Sequence, residues 1–462
     1  NMLDKTVVHD VLEAALSTGG DFAEIFVENN AKNGITMVNG VVEKAQAGID
    51  YGAGIRIFNG FNAIYAYTND TGRENLLKTA LAAAAALNKQ GRAPVRPFER
   101  LNFDNIHPWK ALPGTVQKRK IAGMLREAHL GASGQSGLVT QTSGNYIDSV
   151  QDVLIANSEG RWAEDRRVRT RVAIQAVASS GTEKQSASFG PGRLCGLEFY
   201  DTIDFAGLGR QAAEIALTML NARPCPGGKM PVVIDNGFGG VILHEACVHG
   251  LEATSVAKGA SVFAGKLGQQ IASELVTAVD DGTMPNEWGS INIDDEGEKS
   301  RRNLLIEKGV LKTYLVDRLN GLKMGMASTG SSRRESYRFA PTSRMTNTFF
   351  TSGGDKQGDI IAATEYGLYA KKMGGGSVNP ATAEFNFAVT EAYMIRNGKI
   401  AEPVRGAALI GKGHEVLLNI DRVSDNFAME QGMCGSVSGS VPTNVGQPMI
   451  RVKELIVGGR SE

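Results

Sequence analysis

The stretch Pro231-Val232-Val233-Ile234-Asp235-Asn236-Gly237-Phe238-Gly239-Gly240-Val241-Ile242-Leu243-His244-Glu245-Ala246-Cys247-Val248-His249-Gly250 decides between two folds. An apolar strand, a glycine-rich turn and an apolar helix start are also how a dinucleotide-binding unit opens. Here Ile242 stands where the third glycine of that fingerprint belongs, and the helix carries His244, Glu245 and His249. The reading is therefore a buried strand that feeds a helix bearing metal-type residues.

Two imidazoles and a carboxylate within one and a half turns are what a zinc hydrolase needs. The imidazoles hold the ion and the carboxylate takes a proton from water. The spacing is unusual, because the familiar H-E-x-x-H motif sets its histidines four apart and these are five apart. At ~100° per residue, five steps overshoot the first side chain by about 140°. Two ligands on one ion then require a π-type widening of the helix or unwinding at Gly250. Two histidines that are each hydrogen-bonded separately are the competing reading.

A catalytic zinc usually takes a third protein ligand. Cys434 sits in Gly432-Met433-Cys434-Gly435, where flanking glycines would let the loop deliver sulfur from a distant element. Cys247 is nearer but shares the helix, and Glu252 lies on the Glu245 side of an ideal helix. Either cysteine also reads as a small buried hydrophobe. His9, His107, His129 and His414 stand in unrelated contexts and read as structural or exposed.

The chain has 462 residues, 42% hydrophobic and 21% charged, enough for two to four domains. Lys plus Arg equals Asp plus Glu at 49 each. That balance argues against a nucleic-acid or anionic-membrane surface. The 56 glycines against 14 prolines point to many tight turns and a β-rich protein. No apolar stretch is long enough to span a bilayer, and the start does not read as a secretory signal. Four cysteines in so long a chain do not form a disulfide framework. A reducing cytoplasm is the expected location.

Helices are expected over 5–17, 74–87, 116–130 and 204–220. Asn33-Gly34, Asn39-Gly40, Asn59-Gly60, Lys308-Gly309 and Asn397-Gly398 are expected at hairpin turns, with another across 158–160. The punctuation Asn221-Ala222-Arg223-Pro224-Cys225-Pro226-Gly227-Gly228 places a domain boundary, giving units 1–222 and 223–462. Gly374-Gly375-Gly376 either lets a backbone approach a ligand or forms an ordinary turn. Arg333-Arg334-Glu335 either holds a peptide carboxylate or forms a structural charge cluster. Gly411-Lys412-Gly413 reads as a turn, not a phosphate loop.

His244-Glu245-Ala246-Cys247-Val248-His249 resembles the H-E-x-x-x-H signature of the TldD/PmbA, or modulator-of-gyrase, family. The likeness continues through Ala278-Val279-Asp280-Asp281-Gly282, Ile293-Asp294-Asp295-Glu296-Gly297, Arg333-Arg334-Glu335-Ser336-Tyr337, Arg344-Met345-Thr346-Asn347-Thr348, Thr390-Glu391-Ala392-Tyr393 and Cys434-Gly435. It runs nearly end to end and is of the TldD type, since PmbA-like members lack the histidine motif. The resemblance implies an α+β chain, with an N-terminal α/β domain and a β-rich C-terminal metallopeptidase domain carrying the metal-binding helix. It implies Zn2+ held by His244, His249 and Cys434, and it demotes Cys247. It also implies a homodimer or a heterodimer with a PmbA-type paralogue. In the mechanism expected, Glu245 is the general base that activates water against unfolded or short peptides, which would enter by strand addition. The rival reading is a non-catalytic adaptor that binds a partner such as DNA gyrase.

Overall fold

A computed structural model describes residues 2–114, 118–379 and 381–459. Four helices cover one face of an antiparallel sheet in the N-terminal part: α1 (Lys5–Ala15), α2 (Arg73–Leu87), α3 (Lys118–Ser133) and α4 (Phe205–Leu220). Val116 and Gln117, within the expected third helix, lie outside the described residues. The main strands run in the order Asn62–Thr68, Val41–Asn59, Phe22–Val38, Val139–Asn157 and Arg161–Ser180. Side chains alternate along a strand, so Ala23, Ile25 and Val27 pack beneath α1 and α2. Glu24, Phe26 and Glu28 point the other way and are equally buried, because the C-terminal segment around Ile293 and Tyr337 covers that face.

The chain is α+β with a β-rich C-terminal part, as expected. There, Tyr366–Val378, Gly228–Ile234, Ile450–Gly458, Ala408–Lys412 and Glu384–Arg396 follow one another in a sheet. Glu384–Arg396 pairs back onto Tyr366–Val378, so these five strands close into a ring. A second sheet ends with Asn347–Phe350, Gly439–Gln447 and, at its edge, Ala428–Ser436.

Asn39-Gly40, Lys308-Gly309 and Asn397-Gly398 are two-residue turns in which both residues have positive φ. Asn33-Gly34 is not a turn. It lies inside Phe22–Val38, paired on one side with Ala47 and Gln46 and on the other with Asp148 and Ile147. Asn33 Nδ2 donates to Asp148 Oδ1 at 2.9 Å, so a turn-type residue is held in an extended strand by neighbours on both sides. Gly374-Gly375-Gly376 also lies in a strand. A Cβ on Gly376 would meet Asn386 O at 2.2 Å, so the close approach is to the adjacent strand.

The glycines before the motif helix serve packing. Gly237 has φ 76, and a Cβ on Gly240 would meet Gly446 N at 2.6 Å. The helix start is thus pressed against the backbone of Gly439–Gln447, so Gly240 serves this close approach. Gly240→Ala should cost about 1–3 kcal/mol through overpacking, seen as a lower urea midpoint. An unchanged midpoint would show that the two segments separate freely.

Candidate metal centre

The motif helix α5 (Val241–Ala246) is only six residues long. Val241, Ile242, Leu243 and Ala246 are buried in the same core as the ring strands' Val232, Leu368, Phe387 and Val452. Cys247 then leaves the helical region at φ −127 and ψ −62, and Val248–Leu251 continues as a 3-10 turn. Gly250 N donates to Cys247 O at 2.8 Å. The helix therefore breaks three residues before Gly250, by tightening rather than widening. The break brings the His244 and His249 rings to 4.9 Å between centroids, at 88° to each other.

Cys434 arrives from the edge strand Ala428–Ser436, with Sγ 3.4 Å from His249 Nε2. Ligand atoms of His244, His249 and Cys434 all lie within 4.8 Å of one another. Two imidazoles and a thiolate form a donor set suited to zinc. His244 Nδ1 is buried and has no hydrogen-bond partner among the described residues, as expected of an atom with an unfilled role. A second convergent set, His9, Asp10 and Glu13, lies partly exposed on α1, where Asp10 pairs with Arg73.

Electrostatics prepares Cys434 and His249. Burial opposes ionisation of Cys434, but the charges and hydrogen bonds of His244 and His249 outweigh it and bring the thiol down to about 4. Burial likewise opposes charge on His249. Glu252 and Cys434 overcome it and hold the imidazole well above its ordinary value. These shifts favour a thiolate beside the imidazoles, and a metal ion bound there would compete with protons for the same atoms.

Glu252 is 4% exposed and accepts from His249 Nδ1. A candidate ligand by sequence, it stands behind His249 as the carboxylate that leaves Nε2 facing Cys434. Glu245 is placed differently. Its Oε2 is 3.7 Å from His249 Nε2 and its side chain is 29% exposed, so it borders both the ligands and solvent.

Cys247 is fully buried among apolar residues, and burial pushes its thiol up. His107 Nδ1 accepts from Asn286 N at 3.0 Å and is driven to about 4 by burial, while His129 bonds Thr142 at 2.7 Å. Motif reasoning missed one residue of the site, Arg344. It is fully buried and donates to Cys434 O, to Ser438 Oγ at 2.8 Å and to Gly439 O at 2.8 Å, fixing the hairpin that presents the sulfur. Its only trace in the sequence is its place in the block Arg344-Met345-Thr346-Asn347-Thr348.

Comparison with known proteins agrees with this architecture. The PmbA/TldA metallopeptidase C-terminal domain matches residues 227–459, the central domain residues 112–220 and domain 1 residues 23–87. A Metalloprotease TldD homolog of Buchnera aphidicola is 33% identical, covering 99% of this chain and 97% of its own. One of Haemophilus influenzae is 36% identical, covering 95% and 93%. A Zinc metalloprotease TldD homolog of Saccharolobus solfataricus is 29% identical over 56% of this chain and 58% of its own. Among solved structures, a candidate modulator of DNA gyrase from Bacteroides thetaiotaomicron superposes with a TM-score of 0.79 at 18% identity, covering both chains fully. TldE from Thermococcus kodakarensis superposes with a TM-score of 0.77 at 19% identity, covering 98% of this chain and 100% of its own. The domain matches across most of the chain, together with end-to-end relatives above 30% identity, establish that it belongs to the TldD/PmbA family of metallopeptidases.

Proposed function

We propose that this metallopeptidase is a zinc-dependent hydrolase of unfolded or short peptides, with His244, His249 and Cys434 as metal ligands and Glu245 as general base. The observation that carries the reading is the convergence of those three ligands beside the Glu245 carboxylate. When bound, zinc would acidify a water and polarise a scissile carbonyl. The chain's own residues do the rest. Glu252 orients His249, Arg344 holds the Cys434 hairpin, and Glu245 takes the water proton and passes it to the leaving amine.

His244 and Cys434 are each 3% exposed, so a folded substrate could not reach them. That recession favours a slender chain. On the free edge of Ala428–Ser436, Gln431 O already accepts from Arg171 at 3.1 Å, which hinders strand addition at that position.

We further propose two structural units, 1–222 and 223–462, a cytoplasmic location suited to four free cysteines, and a dimer with itself or a PmbA-type paralogue. No helix among the described residues is long and apolar enough to cross a membrane. Val41, Ile49 and Ile147 are at least half exposed on the long strands of the N-terminal sheet, and they offer a contact surface.

Three outcomes are expected. Cys434→Ser should lose most of the metal while Cys247→Ser keeps it. Elemental analysis that finds the reverse removes the ligand assignment. Glu245→Gln should retain fold and zinc but lose about 10²- to 10⁴-fold in peptide turnover. Equal turnover at matched zinc content rules out Glu245 as the base, and no turnover by the unsubstituted chain on a broad unfolded-peptide panel favours the gyrase-type adaptor or an absent partner subunit. Light scattering at micromolar concentration should report a dimer, and a fully active monomer would contradict it.

A further inference from the structure

A cavity of ≈ 680 Å³ lies between the N-terminal sheet and the hairpin that carries Cys434. Lys32, Arg167, Arg169, Arg333 and Arg334 line it. Two of these buried guanidiniums are matched in charge. Arg167 pairs with Asp295 at 2.7 Å, and Arg334 pairs with Glu24 at 3.1 Å.

Arg169 and Arg333 are not matched. Arg169 is 7% exposed and donates to Trp288 O at 3.1 Å and Ser290 O at 2.8 Å. Arg333 is 4% exposed and donates to Met345 O at 2.6 Å and Pro442 O at 2.7 Å. Among the described residues neither has a carboxylate within 4.0 Å. The acids around them are committed elsewhere. Asp295 serves Arg167 and Arg334 N, Asp165 lies 3.6 Å from Arg167, Asp280 accepts from Thr346 and Thr348, and Asp50 pairs with Arg338. Of the other acids on the cavity wall, Asp148 accepts from Asn33 and Tyr146, and Glu335 accepts from Ser440 N. Burial, together with repulsion from Arg333 and Arg167, holds Arg169 well below the usual guanidinium range, and burial lowers Arg333 to about 10. Two buried cations with no ion-pair partner of their own on one cavity are costly, and an anion between them would lower that cost.

The rest of the wall includes Ile35, Ile147, Trp288 and Val441. Val441 is the cross-strand partner of Cys434, so the cavity adjoins the strand pair that presents the metal ligand. Planar forked donors above an apolar wall suit a carboxylate attached to an organic chain. We propose that this cavity is a carboxylate-binding subsite for the peptide substrate, with Arg169 and Arg333 as its cationic anchors. The proposal rests on the peptidase reading, and the carboxylate comes from the peptide C-terminus or from an acidic side chain.

The test titrates zinc-loaded Glu245→Gln by calorimetry with three probes: acetyl-hexaalanine as the free acid, the same peptide as its C-terminal amide, and an amidated analogue with one internal glutamate. A carboxylate-bearing probe should bind roughly tenfold or more tightly than the neutral amide. Preference for the free acid identifies the C-terminus, and preference for the internal glutamate identifies a side chain. Arg169→Gln and Arg333→Gln should each diminish the preference without weakening the neutral amide. If these variants do not fold, the three probes on the otherwise unchanged chain decide. Equal affinities, no binding by either acidic probe at millimolar concentration, or a preference untouched by both substitutions overturns the proposal. Equal affinities with normal cleavage by the unsubstituted chain leave the peptidase reading standing. A clear preference without cleavage of any peptide keeps the subsite and removes the peptidase reading.

Discussion

The convergence of His244, His249 and Cys434 depends on the chain leaving the α-helical path at Cys247. On a regular helix, ligands five residues apart splay by about 140°. The turn from α-helix to 3-10 geometry at Cys247 removes that splay and sets the two rings edge to face. The break occurs at a wholly buried cysteine. It is held by the core, since Cys247, Val248 and Leu251 are all 0% exposed among apolar neighbours. Packing has overridden local propensity here, and Glu252 follows the break closely enough to reach back to His249.

A second constraint is the delivery of sulfur from far along the chain. An edge strand is a pliable platform, yet as a proposed ligand Cys434 would have to hold its place to within about 0.2 Å. Arg344 provides the stiffness, with its guanidinium spanning the Cys434 and Gly439 carbonyls and the Ser438 hydroxyl across the hairpin turn. The paired histidines then favour the thiolate, and the thiolate donates more charge than a third imidazole would. On the proposed reading, such a donor set would polarise a carbonyl less strongly, which would place more of the catalytic demand on Glu245.

The N-terminal sheet is joined to the C-terminal part through buried charge. Period-two alternation puts Glu24 and Glu28 on the face that the C-terminal loops cover. Arg56 pairs there with Glu24 at 3.1 Å and Glu296 at 2.7 Å, while Arg334 pairs with Glu24 and receives support from Asp295. Removing one partner from such a network leaves a buried, unmatched charge, so the penalty for wrong docking is steep. The Arg333-Arg334-Glu335 run shows how differently adjacent residues are used: both arginines line the cavity, but Arg334 completes this network, whereas Arg333 donates to the Met345 and Pro442 carbonyls.

The amino-acid sequence alone determined what is local. The turns at 39–40, 308–309 and 397–398 are legible because positive φ is inexpensive for Gly and tolerated by Asn; Lys308 adopts it only beside Gly309. α2 and α4 are legible from apolar spacing and helix-forming composition. The His-Glu-His kit and the need for a third donor were legible too. Chemistry alone left Cys434, Cys247 and Glu252 in competition, and only the family resemblance separated them. Only the tertiary structure decided the rest. It straightened Asn33-Gly34 into a strand by pairing it on both sides, and it broke the motif helix at Cys247 rather than at Gly250. It also turned Glu252 from rival ligand into supporting carboxylate, and made Arg344 a brace for sulfur ninety positions away. The reason is physical. Turn and helix preferences are set by a few neighbouring dihedrals, whereas a ligand cluster is set by which distant surfaces exclude water together.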